Sequence, residues 1–319
     1  MALRPLISMV SMSSEKVKLR SAFGTQLREN EPLSKYTSAR IGGPAEYLIF
    51  AESADELAEQ VRTAWQLGIK VFILGGGANV LVSDQGLRGL AIVNRARRVE
   101  FREAGEAPTV YAESGTNLGL LARQCAAHGL SGLEWAATVP GTIGGAVYGN
   151  AGAHGGDVAL NLHMAEILHP DGSVLTWTPD QLDFRYRSSA LKRQKANLVV
   201  LAAEFEMQSR SPADVQATID EFVAYRKRTQ PPGASLGSMF KNPPNDYAGR
   251  LIEAAGLKGK RIGNVEISPQ HANFFVNTGD CRAAEVFALI HLAHEAVRIQ
   301  FGVDLELEIE LVGEWGGQC

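Results

Sequence analysis

The stretch that most constrains the fold is Val71–Val82, where an apolar segment, a glycine-rich loop and a second apolar segment follow one another. Val71–Leu74 and Val80–Val82 have the β propensity of short strands. The connecting residues can adopt positive φ at little steric cost, so the loop can direct several N–H groups towards a diphosphate. A Rossmann loop would continue into a helix, whereas Val80–Val82 does not look helical. The loop predicts a dinucleotide held between strands, with a glycine-rich hairpin that binds nothing as the alternative. The loop residues are Gly75, Gly76, Gly77, Ala78 and Asn79.

Composition predicts an ordinary soluble globular protein. The 319 residues suffice for two or three domains, and a net charge of -4 gives no sign of a nucleic-acid surface. No apolar run reaches transmembrane length, which predicts no membrane association. Cys125, Cys281 and Cys319 are too few and too widely spaced for a disulfide framework or a cysteine-based metal site. A reducing compartment, the cytoplasm, is therefore expected, and no metal.

The order of helices and strands predicts α/β layers. A strand at Ala45–Phe50 is followed by a helix with a capping box at Ser53 and Glu56, and then by Val71–Leu74. We expect a disordered extension over residues 1–20, because serines interrupt its short apolar patch. Further helices are predicted to begin at the caps Thr116 and Asp280.

The chain divides into two domains where its pattern breaks at Ser209–Pro212. We expect residues 21–209 to form one domain with two subdomains divided near residue 75, and residues 210–319 to form the other. The loop 231–244 is predicted to lack secondary structure. The last strand, Leu305–Leu311, alternates apolar residues with glutamates and is expected to return to the functional site over about 304–312.

A second glycine-rich segment, Trp135–Asp157, contains seven glycines. So many glycines would be costly in a regular exposed helix, so they must allow close packing or close approach to a flat ligand. Two small-residue segments that converge on one ligand are typical of a flavin dinucleotide site. His154 lies in this segment, and we interpret it as a hydrogen-bonded loop residue.

Taken together, the loops resemble the UDP-N-acetylenolpyruvoylglucosamine reductase family. Motifs similar to those of the family follow in one order along nearly the whole chain, which makes accidental similarity improbable. The chain resembles the shorter, second class, since the sequence between Arg187 and Ser238 has no room for the inserted loop that carries a substrate-covering tyrosine. The motifs lie at Leu33–Gly43, Leu74–Leu81, Val139–Ala146, Tyr186–Arg187, Gly237–Pro243, His271–Phe274 and Glu308–Ile309.

The resemblance implies an α+β protein, with a vanillyl-alcohol-oxidase-type, non-Rossmann FAD-binding fold and a C-terminal α/β substrate domain. It also implies noncovalent FAD, NADPH as hydride donor, and reduction of UDP-N-acetyl-enolpyruvylglucosamine to UDP-N-acetylmuramate in peptidoglycan precursor synthesis. Ser238 matches the proton donor, Arg187 the cation near the substrate carboxylate, and Glu308 the glutamate opposite that arginine. Without the resemblance, the sequence favours a turn residue for Ser238, and Arg187 is equally consistent with a solvated surface charge. The glutamate face that contains Glu308 is typical of a solvated edge, and the alternative is that it lines a cleft.

The resemblance also suggests which residues bind the cofactor and the substrate. Ala78 stands where the family usually has serine, so one side-chain contact to the diphosphate is in doubt. Arg226–Arg228 is equally consistent with a solvated helix C-terminus. The expected cofactor residues are Arg40, Ile41, Gly75, Gly76, Gly77, Ala78, Asn79, Val80, Pro140, Gly141, Gly144 and Gly145. The expected substrate residues are Arg228, Lys241, Asn242, His271 and Asn273.

The sequence leaves two other functions open. One is an oxidase of the same flavin fold that uses oxygen as its electron acceptor. The other is a catalytically silent protein that binds a nucleotide sugar. The joint presence of Ser238, Arg187 and Glu308 in matching contexts argues against the silent protein.

Overall fold

The computed structural model describes residues 4–102, 107–194 and 197–315, with side chains from Ser14 onward. Its first unit is a four-stranded sheet of order β1-β2-β5-β3, in which β5 pairs in parallel with β2 and β3. The predicted helix α2 covers this sheet, and the Ser53 hydroxyl accepts from the N–H of Glu56. The elements are α1 (Arg4–Phe23), β1 (Arg28–Pro32), β2 (Pro44–Ala51), α2 (Ala54–Gln66), β3 (Val71–Leu74), β4 (Val80–Val82) and β5 (Leu87–Asn94), with short 3-10 helices at Gly24–Gln26 and Leu33–Tyr36.

Helix α1 differs from the disordered extension expected over residues 1–20, of which residues 1–3 lie outside the described part. Leu19 is fully buried in the core of the first unit. Lys16 and Arg20 both form ion pairs with Glu29 of β1. Apolar contacts of Leu19 and Phe23 and two ion pairs therefore hold the end of a helix that the interrupted sequence pattern did not reveal.

The second unit is an antiparallel sheet of order β12-β11-β13-β7-β6. The two sheets divide after Asn94, whereas the sequence predicted a division near residue 75. The elements are β6 (Val99–Arg102), β7 (Thr109–Glu113), α3 (Leu118–Ala127), β8 (Leu130–Ser131), α4 (Ile143–Gly149), β9 (Gly152–Ala153), β10 (Gly156–Asp157), α5 (Val158–Asn161), β11 (Leu162–Leu168), β12 (Val174–Trp177), α6 (Pro179–Leu182), α7 (Ala190–Gln194), β13 (Val199–Glu206), β14 (Gln208–Ser209) and α8 (Pro212–Thr229), with a 3-10 helix at Glu134–Thr138.

Three details of this unit differ from the sequence-based expectations. Helix α3 is capped by Asn117, whose side chain accepts from the N–H of Leu120, and not by Thr116. The glycine-rich α4 does form a short helix, because one of its faces is buried. Helix α8 packs through Val215 and Ile219 into the core of this unit, although residues from 210 onward were assigned to the second domain.

The third unit is an antiparallel sheet of order β15-β18-β17-β16. Strand β15 lies in the loop 231–244 that was predicted to lack secondary structure, and that prediction was wrong. A core that includes Leu251, Ile252 and Ile290 joins the sheet to α9 and α10. The elements are β15 (Ala234–Ser238), α9 (Ala248–Ala254), β16 (Arg261–Ile262), β17 (Val265–Ile267), β18 (Phe274–Asn277), α10 (Ala283–Phe301) and β19 (Glu310–Val312).

The predicted last strand changes partner along its length. Around Leu307 it meets Phe240 in an antiparallel bridge, and β19 then pairs in parallel with β4 of the first unit. Strands β3 and β4 lie in different sheets, so Val71–Val82 is not a hairpin. In the described part of the chain, no helix is both long and apolar enough to cross a bilayer.

Asp84 of the first unit caps the N-terminus of α10. The Asp84 carboxylate accepts from the N–H groups of Ala283 and Ala284 at 2.8 and 2.9 Å, whereas the predicted cap, Asp280, is exposed. A carboxylate at this position satisfies two free N–H groups and interacts favourably with the helix dipole.

We therefore expect Asp84→Ala to lower the free energy of unfolding by about 1–2 kcal/mol. Asp280→Asn is the control, since asparagine tolerates the φ of +24° at this residue, and it should change the free energy of unfolding by less than about 0.5 kcal/mol. Urea denaturation followed by circular dichroism measures both variants. Equal losses would show that Asp84 is not the cap that matters.

Candidate active site

A cavity of about 670 Å³ opens where the three units meet. Its volume lies in the range of small-molecule and cofactor sites. Both glycine-rich segments line it, and so do α4, the end of β15 and the segment that leads into β19.

The two glycine-rich segments touch each other in the cavity wall. A Cβ on Gly75 would lie 2.3 Å from the hydroxyl of Thr142, and one on Gly76 would lie 3.0 Å from the Cα of Gly141. Gly77 has a φ of +58°, and its Cβ would lie 2.4 Å from the carbonyl oxygen of Tyr36. Side chains at Gly75 and Gly76 would separate the two segments, and one at Gly77 would displace the backbone at Tyr36. The wall therefore requires glycine at these positions.

Other parts of the wall leave room for a ligand. Gly145, Gly149 and Gly237 line the cavity, and a Cβ on any of them would meet no atom within 4 Å. The N–H groups of Gly76, Gly77 and Ala78 donate to no backbone acceptor in the described part of the chain. Free N–H groups beside a smooth backbone surface suit a diphosphate joined to a flat ring system. These residues fit an FAD.

Arg187 and Glu308 form an ion pair on the cavity wall. The guanidinium Nε lies 2.8 Å from the Glu308 Oε1, and an Nη donates to the Gly152 carbonyl at 2.7 Å. The two side chains are 25% and 17% exposed. Burial raises the pKa of the Glu308 carboxyl, while Arg187 acts against that shift. The guanidinium keeps further donors for a ligand.

Hydrogen bonds to the Glu308 backbone hold this residue beside Ser238 and the first glycine-rich loop. The Glu308 N–H donates to the carbonyl of Met239, the residue after Ser238, at 3.0 Å. The Asn79 side chain donates to the Glu308 carbonyl at 3.1 Å. Ser238 lines the same cavity at the end of β15, after Gly237, which has a φ of +76°. Residues from all three units thus meet at one place.

Most of the site residues expected from the sequence line this cavity. The three expected catalytic residues do so, and so do ten of the twelve expected cofactor residues. The exceptions are Arg40, which is exposed, and Ile41, which is buried in the third unit's core. Those that line the cavity are Arg187, Ser238, Glu308, Gly75, Gly76, Gly77, Ala78, Asn79, Val80, Pro140, Gly141, Gly144 and Gly145.

The five expected substrate residues lie outside the cavity wall. Arg228 is exposed against the Tyr225 ring, and Lys241 forms an ion pair with Glu306. The substrate contacts of all five residues stay predictions. The other three residues make local hydrogen bonds. Asn242 accepts from the Ala248 N–H, His271 accepts from the Asn273 N–H, and the Asn273 side chain bonds both backbone groups of Phe240.

Three charged residues in the cavity wall were not singled out from the sequence as site residues. Arg226 is half-buried and donates to the Thr138 carbonyl, and burial lowers the pKa of its guanidinium. Arg226 forms no ion pair with the described carboxylates. Lys192 and Glu310 also line the cavity, as a second ion pair. Residues two positions apart lie on different faces of a helix, so Arg226 and Arg228 point in different directions. Only the packing of α8 shows that Arg226 is the one that lines the cavity.

His154 is the histidine for which the sequence favoured a structural role. Its ring stacks on Phe222 at 4.2 Å, and Nε2 lies 3.5 Å from the Thr138 hydroxyl. Burial and the nearby Arg226 lower the pKa of this imidazole, which favours the neutral form. A neutral stacked ring agrees with the structural role, and it also forms part of the cavity wall.

Comparisons with known proteins agree with this geometry. A family model described as "FAD binding domain" matches residues 45–178, and the model "UDP-N-acetylenolpyruvoylglucosamine reductase, C-terminal domain" matches residues 229–312. The second match begins at the end of α8. With the described cavity, these matches define an FAD-dependent oxidoreductase, and they confirm the predicted α+β fold with a non-Rossmann FAD-binding domain.

The relatives identify the family. A UDP-N-acetylenolpyruvoylglucosamine reductase of Chloroflexus aggregans is 45% identical over 92% of this chain and 100% of its own length. That of Bacillus subtilis is 39% identical over 89% of this chain and 93% of its own length. The crystal structure of this reductase from Thermus caldophilus superposes with a TM-score of 0.77 at 35% identity, and the match covers 90% of this chain and 99% of the other. The chain belongs to the UDP-N-acetylenolpyruvoylglucosamine reductase family.

Adjacent glycines of α4 allow a test of the cofactor cradle. Gly145→Ala adds a methyl group that points into the cavity, so we expect FAD to bind about tenfold more weakly. The FAD-free protein should be stabilised by up to about 1 kcal/mol, since alanine favours the helix. Flavin fluorescence titration measures binding, and thermal unfolding of the FAD-free protein measures stability.

Gly144→Ala is the contrasting variant. Its Cβ would lie 3.0 Å from the Cβ of Ser114, so it should lower the stability of the FAD-free protein. If Gly145→Ala leaves FAD affinity unchanged, the ring system does not lie against this face of α4.

Proposed function

We propose that the protein catalyses the NADPH-dependent, FAD-mediated reduction of UDP-N-acetyl-enolpyruvylglucosamine to UDP-N-acetylmuramate in peptidoglycan precursor synthesis. The observation that carries the proposal is the convergence of Arg187, Ser238 and Glu308 on one cavity with both glycine-rich segments. Family membership supports the substrate. The free thiols Cys125 and Cys281 support a reducing compartment, for which we propose the cytoplasm.

FAD bound here and reduced by NADPH would supply the hydride that adds to the CH2 carbon of the enolpyruvyl group. Negative charge then develops on the adjacent carbon and, by conjugation, on the carboxylate. Arg187 would bind that carboxylate through donors that Glu308 and Gly152 leave free. A cation in a half-buried site stabilises developing charge more strongly than it does in water.

Protonated Glu308 would stabilise the same substrate carboxylate. Two carboxylates at close range repel each other, and one of them takes up a proton. Burial has already raised the pKa of Glu308. Binding of an anionic substrate raises it further, so the neutral carboxyl can donate a hydrogen bond to the substrate.

Ser238 would donate the proton to the carbon at which charge develops. Its backbone is fixed at three neighbouring points. The Met239 N–H donates to the Asn273 carbonyl at 2.8 Å, the Asn273 side chain holds Phe240, and the Met239 carbonyl accepts from Glu308. These contacts support a fixed backbone position for Ser238 on the cavity wall, at the end of β15.

Replacement of Ser238 by alanine tests the proton donor in separate half-reactions. Reduction of the flavin by NADPH should survive, whereas its reoxidation by the enolpyruvyl sugar should fall at least about a hundredfold. Anaerobic stopped-flow absorbance measures both steps. Ser235→Ala is the control, because Ser235 lies in the same strand outside the cavity wall.

Equal loss of both half-reactions would remove Ser238 from the acid role. Rapid reoxidation of the wild-type protein by air but not by the enolpyruvyl sugar would favour the oxidase. A colourless protein that cannot be reconstituted with FAD would favour the silent binding protein.

We propose Arg226 in place of Arg228 as the cation for the substrate diphosphate. A half-buried guanidinium whose described partner is a carbonyl gains most from an anionic ligand. Arg226→Met should raise the Kd for UDP-N-acetylglucosamine, measured by calorimetry, about 10- to 100-fold.

Arg228→Met is the matched control, since Arg228 lies on the exposed side of the same helix, and its Kd should change less than about threefold. A larger effect at Arg228 would restore the assignment made from the sequence. A loss confined to FAD binding would assign Arg226 to the cofactor.

A further inference from the structure

The ion pair between Lys192 and Glu310 lies on the same wall as the Arg187–Glu308 pair. The Lys192 Nζ is 2.5 Å from the Glu310 Oε1, and the Lys192 side chain is only 18% exposed. Arg187 precedes α7 and Lys192 lies within it, while Glu308 precedes β19 and Glu310 begins it. Two cations on one segment thus face two carboxylates on another.

Both partners of the second pair are attached to fixed backbone. Ser189 is fully buried, donates to the Tyr148 carbonyl at the end of α4 at 2.6 Å, and accepts from the Lys192 N–H. The Glu310 N–H donates to the Asn79 carbonyl at 2.8 Å. Exposed ion pairs lose most of their Coulomb energy to side-chain entropy and to solvent screening. The fixed backbone reduces the first loss, and the burial of Lys192 reduces the second at its end of the pair, while Glu310 is 37% exposed.

We propose that Lys192 and Glu310 are a positioning pair for Glu308, which joins α7 to the last segment and balances the charge around the Glu308 carboxyl. The expected effect of this pair on turnover rests on the proposed function. The expected effect on the pKa of Glu308 is independent of that function.

The charges around Glu308 form a nearly balanced set. Arg187, Lys192 and Lys241 all act to lower the pKa of this carboxyl, against the effect of burial. On its own segment, Glu306 is paired with Lys241 and Glu310 with Lys192. Burial and Glu310 raise the pKa of the neighbouring Tyr148 phenol, which therefore adds no charge at neutral pH. Removal of either partner of the second pair leaves one uncompensated charge beside Glu308.

The two single variants must therefore act in opposite directions. Without Lys192, Glu310 is an additional negative charge, which disfavours ionised Glu308 and raises the pKa of its carboxyl. Without the charge of Glu310, Lys192 is an additional positive charge, and that pKa falls. Loss of packing or of a segment connection would not produce opposite signs.

The test is a 13C NMR titration of the FAD-loaded protein with labelled glutamate side chains, in which Glu308→Gln identifies the Glu308 signal. Lys192→Met should raise the pKa of Glu308, and Glu310→Gln should lower it, each by about half a pH unit or more. The double variant should lie between them. Lys258→Met removes a similar pair with Glu253 in the third unit and should leave the pKa unchanged.

Shifts in the same direction, or no shift in Glu310→Gln, would overturn the proposal. Glu310→Gln keeps the shape of the side chain, so the test stands even if Lys192→Met fails to fold. The pH profile of flavin reoxidation by the enolpyruvyl sugar should move with the Glu308 pKa in each variant. Absence of that reaction in the wild-type protein would refute the proposed function and leave the NMR result valid.

Discussion

The site depends on the parallel pairing of β19 with β4. Glu310, Leu311 and Val312 pair with Val80, Leu81 and Val82, so this segment is held against the strand that follows the first glycine-rich loop. The Asn79 side chain and backbone add hydrogen bonds to this segment. Because Glu308 lies just before β19, the pairing brings its carboxyl to Arg187 and its backbone N–H to the carbonyl of Met239. Asp84, which caps α10, reinforces the same junction.

The Arg187–Glu308 pair is better explained by function than by stability. Taking two charges out of water costs free energy that their attraction only partly returns, so such a pair adds little net stability. The pair does place a carboxyl with a raised pKa beside a guanidinium that still has free donors. At Gly75, Gly76 and Gly77, the first glycine-rich segment makes contacts that leave no space for side chains. The site therefore combines a close-packed backbone with a few charges held at fixed positions.

The sequence predicted those features that depend on local pattern or on family motifs. The strands around the first loop and helix α2 were predicted, and thirteen of the expected site residues line the cavity. The sequence did not reveal contacts between distant segments: Asp84 caps α10 although Asp280 is adjacent, and β15 forms in a proline-rich loop because β18 offers it a partner. Arg226 and Arg228 look equivalent in a basic run, and only the burial of one face of α8 separates them. Lys192 became visible as a site residue only through its pair with Glu310.

The most direct measurement of the central claim is a crystal structure of the protein with FAD and UDP-N-acetyl-enolpyruvylglucosamine bound together. The account predicts the isoalloxazine ring in the described cavity, against the small residues of α4. It places the enolpyruvyl carboxylate on Arg187 and Glu308, and the Ser238 hydroxyl within reach of the carbon that accepts the proton. An isoalloxazine ring outside this cavity, or a substrate whose carboxylate lies away from these side chains, would contradict it.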